Sequence, residues 1–168
     1  MKSSIWGMVM ALATTSLLGG CAGLALNDKH PLLKQGEEAD IARVYIIRPV
    51  MRRHSGAMDR PLDIIFGGER LLTLNKGFYT LVSLAPQQSD MIVRSYMHTG
   101  VDERVSEVAE KRRFSFQPGQ TYFIYLKPYY RGYNWGTSFV PENVDMAKAI
   151  EYVQRLKPLG EAQRQPLK

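Results

Sequence analysis

The stretch RRFSFQPGQTYFIYL, residues 112–126, constrains the fold more than any other part of the chain. Phe114 and Phe116 stand two apart, so an extended backbone sends both to one face. Pro118-Gly119 is a turn dipeptide, and the chain returns with Tyr122, Ile124 and Leu126 on one side and Phe123 and Tyr125 on the other. The same grammar recurs upstream. ARVYIIRP (42–49) is rich in β-branched and aromatic residues, and Pro49 closes it because its ring cannot continue a ladder. LDIIFGGERLLTL (62–74) places two apolar runs around Gly67-Gly68, a dipeptide suited to the positive φ angles of a tight hairpin. In NKGFYTLVSLAPQQSDMIVRSY (75–96), Asn75 to Gly77 turns, Phe78 to Leu84 extends, Pro86 breaks the run and Met91 to Tyr96 extends again.

Helical periodicity appears only near the end, in PENVDMAKAIEYVQRLKPLG. Asn143 is the expected N-cap, with Asp145 in the first turn. Met146, Ala149, Ile150, Val153 and Leu156 form an apolar stripe, and Pro158 and Gly160 stop it. Such a stripe usually covers a sheet face or edge. Short strands with frequent turns and one helix predict a mainly β chain, a small antiparallel β-sandwich or barrel with one C-terminal α-helix. No internal repeat or low-complexity tract interrupts it.

The N-terminus follows other rules. Lys2 is a basic n-region, Ile5 to Leu18 is mainly apolar without charge, and small residues follow, as in a secretory signal. The run is shorter than the about 20 apolar residues needed to cross a bilayer. Leu18-Gly19-Gly20-Cys21 resembles a bacterial lipobox. The resemblance implies cleavage before Cys21, attachment of acyl chains such as palmitate to that cysteine, and Gram-negative sorting in which Ala22, rather than Asp, favours the outer membrane, periplasmic face. Three chains would anchor firmly where one holds marginally. Two plainer readings are an ordinary thiol after ordinary cleavage and an uncleaved anchor.

The expected organisation is therefore signal peptide 1–20, lipidated tether 21–40, sandwich with helix 41–157 and flexible tail 158–168. Extended, the tether residues Ala22 to Asp40 would span roughly 60 Å. The 148 residues left after Gly20 suit one domain. Losing Lys2 from 22 Lys and Arg leaves 21 against 16 acidic residues, a net charge of +5. In the envelope that surplus points to anionic lipid or cell-wall polymer rather than nucleic acid, or to an ordinary solvated surface. With a single cysteine no intramolecular disulfide can form.

Catalytic patterns are sparse. His30, His54 and His98 lack metal-ligand spacing, His30 falls in the expected tether, and Ser55 sits in no nucleophile elbow. Asp63 and Glu69 flank the Gly67-Gly68 hairpin and would approach each other across it. No enzyme activity, metal or cofactor is expected. The rival, an envelope hydrolase, would need at least two of His54, His98, Asp63 and Glu69 gathered around a nucleophile.

Two surface features suggest binding. KPYYRGYNWG concentrates Tyr129, Tyr130, Arg131, Tyr133 and Trp135, flat faces and donors that suit a glycan or a protein partner, unless the loop merely packs over one end of the sandwich. The basic residues Arg52 and Arg53, with Arg48, His54 and Arg60 around them and Lys111, Arg112 and Arg113 elsewhere, suit an anionic surface or an ordinary solvated face.

Together, the lipobox, ARVYIIRP, the Gly-Gly hairpin, NKGFYTLVSLAP and QPGQTYFIYL resemble a domain-of-unknown-function family of small bacterial lipoproteins. Gly77, Tyr79 and Pro86 match its middle motif, and Gly119, Tyr122 and Phe123 its last. Gln87 departs from the glycine that usually follows the proline. The resemblance implies a compact β-sandwich and carries over no catalytic residue. The expectation is an outer-membrane lipoprotein acting as a non-enzymatic periplasmic binding or structural module, with an envelope protein or peptidoglycan as partner.

Overall fold

A computed structural model describes residues 23–51, 60–99, 104–131 and 137–168. The signal segment, Cys21 and Ala22 lie outside them. The protein is mainly β, and the described residues form two five-stranded sheets face to face with one α-helix. The strands are β1 (Leu24–Leu26), β2 (Ala42–Arg48), β3 (Leu62–Phe66), β4 (Glu69–Leu74), β5 (Phe78–Leu84), β6 (Gln87–Thr99), β7 (Arg104–Phe116), β8 (Thr121–Tyr130), β9 (Thr137–Val144) and β10 (Lys157–Gly160), with helix α1 (Met146–Val153) between the last two. One sheet has the order β1-β4-β3-β6-β7 and the other β10-β5-β2-β8-β9.

The hairpin expected at Gly67-Gly68 forms between β3 and β4, with φ of 58° and 87° at the two glycines, a conformation other residues resist. Phe114, Phe116 and Tyr122 meet as read from the alternation. Phe114 stacks on Phe116, and Tyr122 meets the Phe116 ring edge-on at 5.0 Å. Phe116 also packs on Phe66 from β3 and is buried between the sheets with Val44, Ile46, Leu72, Val82 and Ile124. Strand β6 begins directly at Gln87, so the connection from β5 needs no glycine after Pro86.

A second apolar cluster lies on the outer face of β2, β5 and β8, where Tyr45, Ile47, Tyr79 and Leu81 are covered by Ala149 and Val153 of α1 and by Ala162. There β2 is buried on both faces, which is why it reads as an almost unbroken apolar run. The helix starts two residues later than expected. Asn143 remains in β9, paired with Ile124, and Asp145 caps α1 by accepting the Lys148 N–H at 2.8 Å.

Both expected flexible segments are instead docked. In the tether region β1 pairs with β4, Leu33 bridges to Leu84, and His30 is 3% exposed, accepting the Leu32 N–H at Nδ1 with Nε2 3.3 Å from the carbonyls of Phe66 and Glu69. At the C-terminus, Pro158 and Gly160 lie in β10, which runs parallel to β5, and Tyr45 donates its hydroxyl to Gln165 O at 2.9 Å. The physical reason is common to both. Each segment supplies apolar side chains, Leu24 and Leu33 or Leu159 and Ala162, that complete a cluster left open by the central strands.

Arg48 corrects a further expectation. By the two-residue period of β2 it shares the inward face with Ala42, Val44 and Ile46, and it is fully buried. Its guanidinium donates to the carbonyls of Leu74 and Arg60 and lies 5.4 Å from the Phe139 ring centroid. It fastens three segments at one end of the sandwich.

Candidate functional site

Strand β8 is paired with β2 from Thr121 to Tyr125 and with β9 from Phe123 to Tyr130. Beyond Tyr125 no described strand pairs with its β2 side, which accommodates Pro128, a residue with no N–H to give. Ile124 and Leu126 point into the core, so Phe123, Tyr125, Lys127 and Tyr129 share the outer face. Phe123 stacks on Tyr45 at 5.6 Å in the cluster that α1 covers. Tyr125 stacks on Tyr152 of α1 with centroids 4.1 Å apart. Lys127 pairs with Glu142 at 3.3 Å, and Tyr129 is 60% exposed.

Helix α1 ends at Val153, so among the described residues the lower part of this face is uncovered. The opening is a groove of about 590 Å³, walled by Pro49 and Val50 on one side, floored by Tyr125 and Tyr152, and edged by Glu151, Gln154 and Arg155. Four residues beyond Tyr125, about 13 Å along β8, stands Tyr129. The arrangement offers aromatic faces flanked by an acid, an amide and a guanidinium, which suits a ring with hydroxyl or carboxylate substituents.

Burial pushes the Tyr125 hydroxyl above the ordinary phenol range, helped by its neighbours Tyr152 and Glu142. Burial also raises Tyr79, against a lowering hydrogen bond with the Leu167 backbone and with Tyr45 adding to the rise. Both phenols hold their protons more tightly folded than unfolded. Their contribution to stability is whole below about pH 10 and is lost as pH rises beyond it. Thermal melts between pH 8 and 12 should show Tm falling above pH 10, and the double variant Tyr79→Phe, Tyr125→Phe should fall less steeply. Equal slopes would contradict this.

Of the expected aromatic loop, Tyr129, Tyr130 and Arg131 are described, while Tyr133 and Trp135 lie outside the described residues. Tyr130 is 46% exposed. Arg131 is engaged structurally: it pairs with Glu110 of β7 and donates to Ser138 Oγ at 3.2 Å, tying the β8–β9 hairpin to the other sheet.

The expected basic patch separates. Arg52 and Arg53 lie outside the described residues. Lys111 and Arg113 both pair with Asp90 at 2.8 Å, and the Arg113 and Lys111 hydrogen bonds hold the Asp90 carboxyl well below the usual carboxylate range. Arg112 alternates to the opposite face of β7. A run of three cations on a strand cannot form one patch.

Asp63 and Glu69 do not meet across their hairpin. Asp63 is opposite Thr73 and accepts from Thr73 Oγ1 at 2.6 Å and the Tyr96 hydroxyl at 3.1 Å, whereas Glu69 lies opposite Phe66 and within 3.3 Å of Asn27 Nδ2. His54 and the side chain of His98 lie outside the described residues. Among the described residues no three potential metal ligands cluster, and no helix is long and apolar enough to cross a membrane.

The groove itself was not foreseen. The alternation sets Tyr125 on the face opposite Ile124 and Leu126, but nothing in the sequence announces that Tyr152 stacks on it. No family model matches the chain, and no significant similarity was found to a curated protein or to a solved structure.

Proposed function

We propose that the protein is an outer-membrane lipoprotein, acylated at Cys21 and facing the periplasm, whose sandwich is a non-enzymatic module that recognises a glycan or protein of the envelope. The observation that carries the recognition is the groove beside Tyr125 and Tyr152, continued by the exposed Tyr129. An aromatic floor with polar edges binds ring faces by dispersion and orients substituents by hydrogen bonds. Peptidoglycan strands present that chemistry, and so does a partner surface rich in proline or aromatic residues. The lipobox resemblance and Ala22 support the address.

The double variant Tyr129→Ala, Tyr152→Ala tests the reading, with Met146→Ala as control because Met146 is exposed at the other end of α1. Co-sedimentation with purified peptidoglycan and capture from solubilised envelopes should both be measured. Loss of about tenfold or more in one of them, as when an aromatic anchor is truncated, is the expected result. Unchanged retention in both assays would refute recognition through this groove.

A further inference from the structure

The chain enters the sandwich at Gly23, and this entry is fixed. Gly23 O accepts the Asn75 N–H at 2.8 Å, and a Cβ at Gly23 would stand only 2.8 Å from Leu159 Cδ1 and 2.9 Å from the Phe78 ring. The next residue, Leu24, is paired with Leu74. Cys21 is two residues earlier. Whatever path those residues take, its Cα stays within about 7 Å of that of Gly23. A lipid on Cys21 therefore leaves no long tether, and the Gly23 end of the domain meets the bilayer.

The sheet registers show what else lies at that end. Arg48 is level with Phe78, Phe78 with Lys157, and Ile47 with Tyr125, so β8 runs on toward this end for several residues past the last residue of β2. Five large apolar side chains are exposed among the described residues, and three of them, Val50, Tyr129 and Tyr130, are here. The exposed cations Lys76, Arg155 and Lys157 are here too, in the β4–β5 turn, after α1 and at the start of β10. Among the described residues, acids at this end are Glu151 at the groove edge, Glu107, which pairs with Arg94, Glu142, which pairs with Lys127, and Asp63, which accepts from Thr73 and Tyr96. The opposite end is mixed in charge: exposed Glu37, Glu38 and Asp40, with Glu38 paired to Arg43, stand with exposed Lys34, Lys111, Arg112 and Arg113.

We propose that this end is a membrane-seating surface, held against the anionic headgroups of the bilayer that carries the lipid. The tyrosine rings and Val50 sit at headgroup level, where amphipathic aromatics are favoured, and Lys76, Arg155 and Lys157 face the phosphates. The far end points into the periplasm. The proposal rests on acylation of Cys21 and deepens the functional reading: a partner of the aromatic groove approaches alongside the membrane, not at a distance from it.

The test uses the full-length lipidated protein in vesicles containing phosphatidylglycerol. With the native thiol acylated, a single introduced cysteine can be labelled with a fluorophore. Val50→Cys and Tyr129→Cys report the near end, Glu37→Cys and Met146→Cys the far end, and headgroup nitroxide lipids quench by contact. At least half the emission should be lost at both near positions and little at the far ones, with the near-end quenching reduced in Lys76→Glu, Lys157→Glu. Equal quenching at both ends, or stronger quenching at the far end, would overturn the seating. The mass of the N-terminal peptide from the same preparation separates the two readings. An acylated Cys21 without near-end quenching refutes the seating alone, and a Cys21 without acyl mass refutes both.

Discussion

Arg48→Met should lower the stability of the protein by about 3 kcal/mol, although methionine matches much of the arginine volume. Removing the guanidinium leaves the carbonyls of Leu74 and Arg60 without this donor inside the sandwich, and an unsatisfied buried polar group costs about 1–3 kcal/mol. The contact with the Phe139 ring goes as well. At roughly 2–4 °C per kcal/mol for a domain of this size, Tm should drop by about 10 °C. Arg48→Lys should recover only part of the loss, because one ammonium on a flexible stem cannot span both carbonyls as the planar fork does. A methionine variant melting within 2 °C of the wild type would show that Arg48 fastens nothing.

Ending the chain after Leu156 should be worse. It removes β10, whose four residues pair with Phe78 to Leu81, together with Leu159, Ala162 and the carbonyl of Gln165 that receives the Tyr45 hydroxyl. Losing a buried leucine and a strand partner together costs about 5 kcal/mol, comparable with the whole stability of many domains. The truncation also bares the edge of β5, a template for pairing with another chain. Soluble protein should fall several-fold, with the remainder aggregating on heating. Leu159→Ala is the milder companion and should cost about 2–3 kcal/mol while leaving the protein folded. If the truncated chain melts cooperatively near the wild-type temperature, residues 157–168 are not part of the domain's structure.

These two predictions concern the parts least legible in the sequence. Strands and turns are readable where alternation and glycine coincide, as at Gly67-Gly68 and along Tyr122 to Leu126, because a period of two has one physical meaning. The termini were misread because their apolar residues are few and spaced by polar ones. Leu24, Leu33, Leu159 and Ala162 become informative only when the clusters they complete are known. Arg48 reads as a surface cation because charge usually means exposure, yet its parity with Val44 and Ile46 places it on the inward face. Lys111, Arg112 and Arg113 were grouped by adjacency, which a strand undoes.

The candidate site shows the same division. Tyr129 and Tyr130 stand out by composition, and the structure leaves both exposed. The groove between α1 and β8 depends on where the helix stops and on the long-range pairing of Tyr125 with Tyr152. Neither is a local property. The docking of the segment after Gly23 bears on the proposed function as well: a domain acylated at Cys21, as proposed, would sample only what comes to the membrane surface.

The central claim is attachment through Cys21, and metabolic labelling of the full-length protein in Gram-negative cells with an alkyne-tagged fatty acid tests it most directly. The wild type should carry label in the outer-membrane fraction, and Cys21→Ser should carry none. Label that persists in the serine variant, or a wild type without label, would contradict the claim.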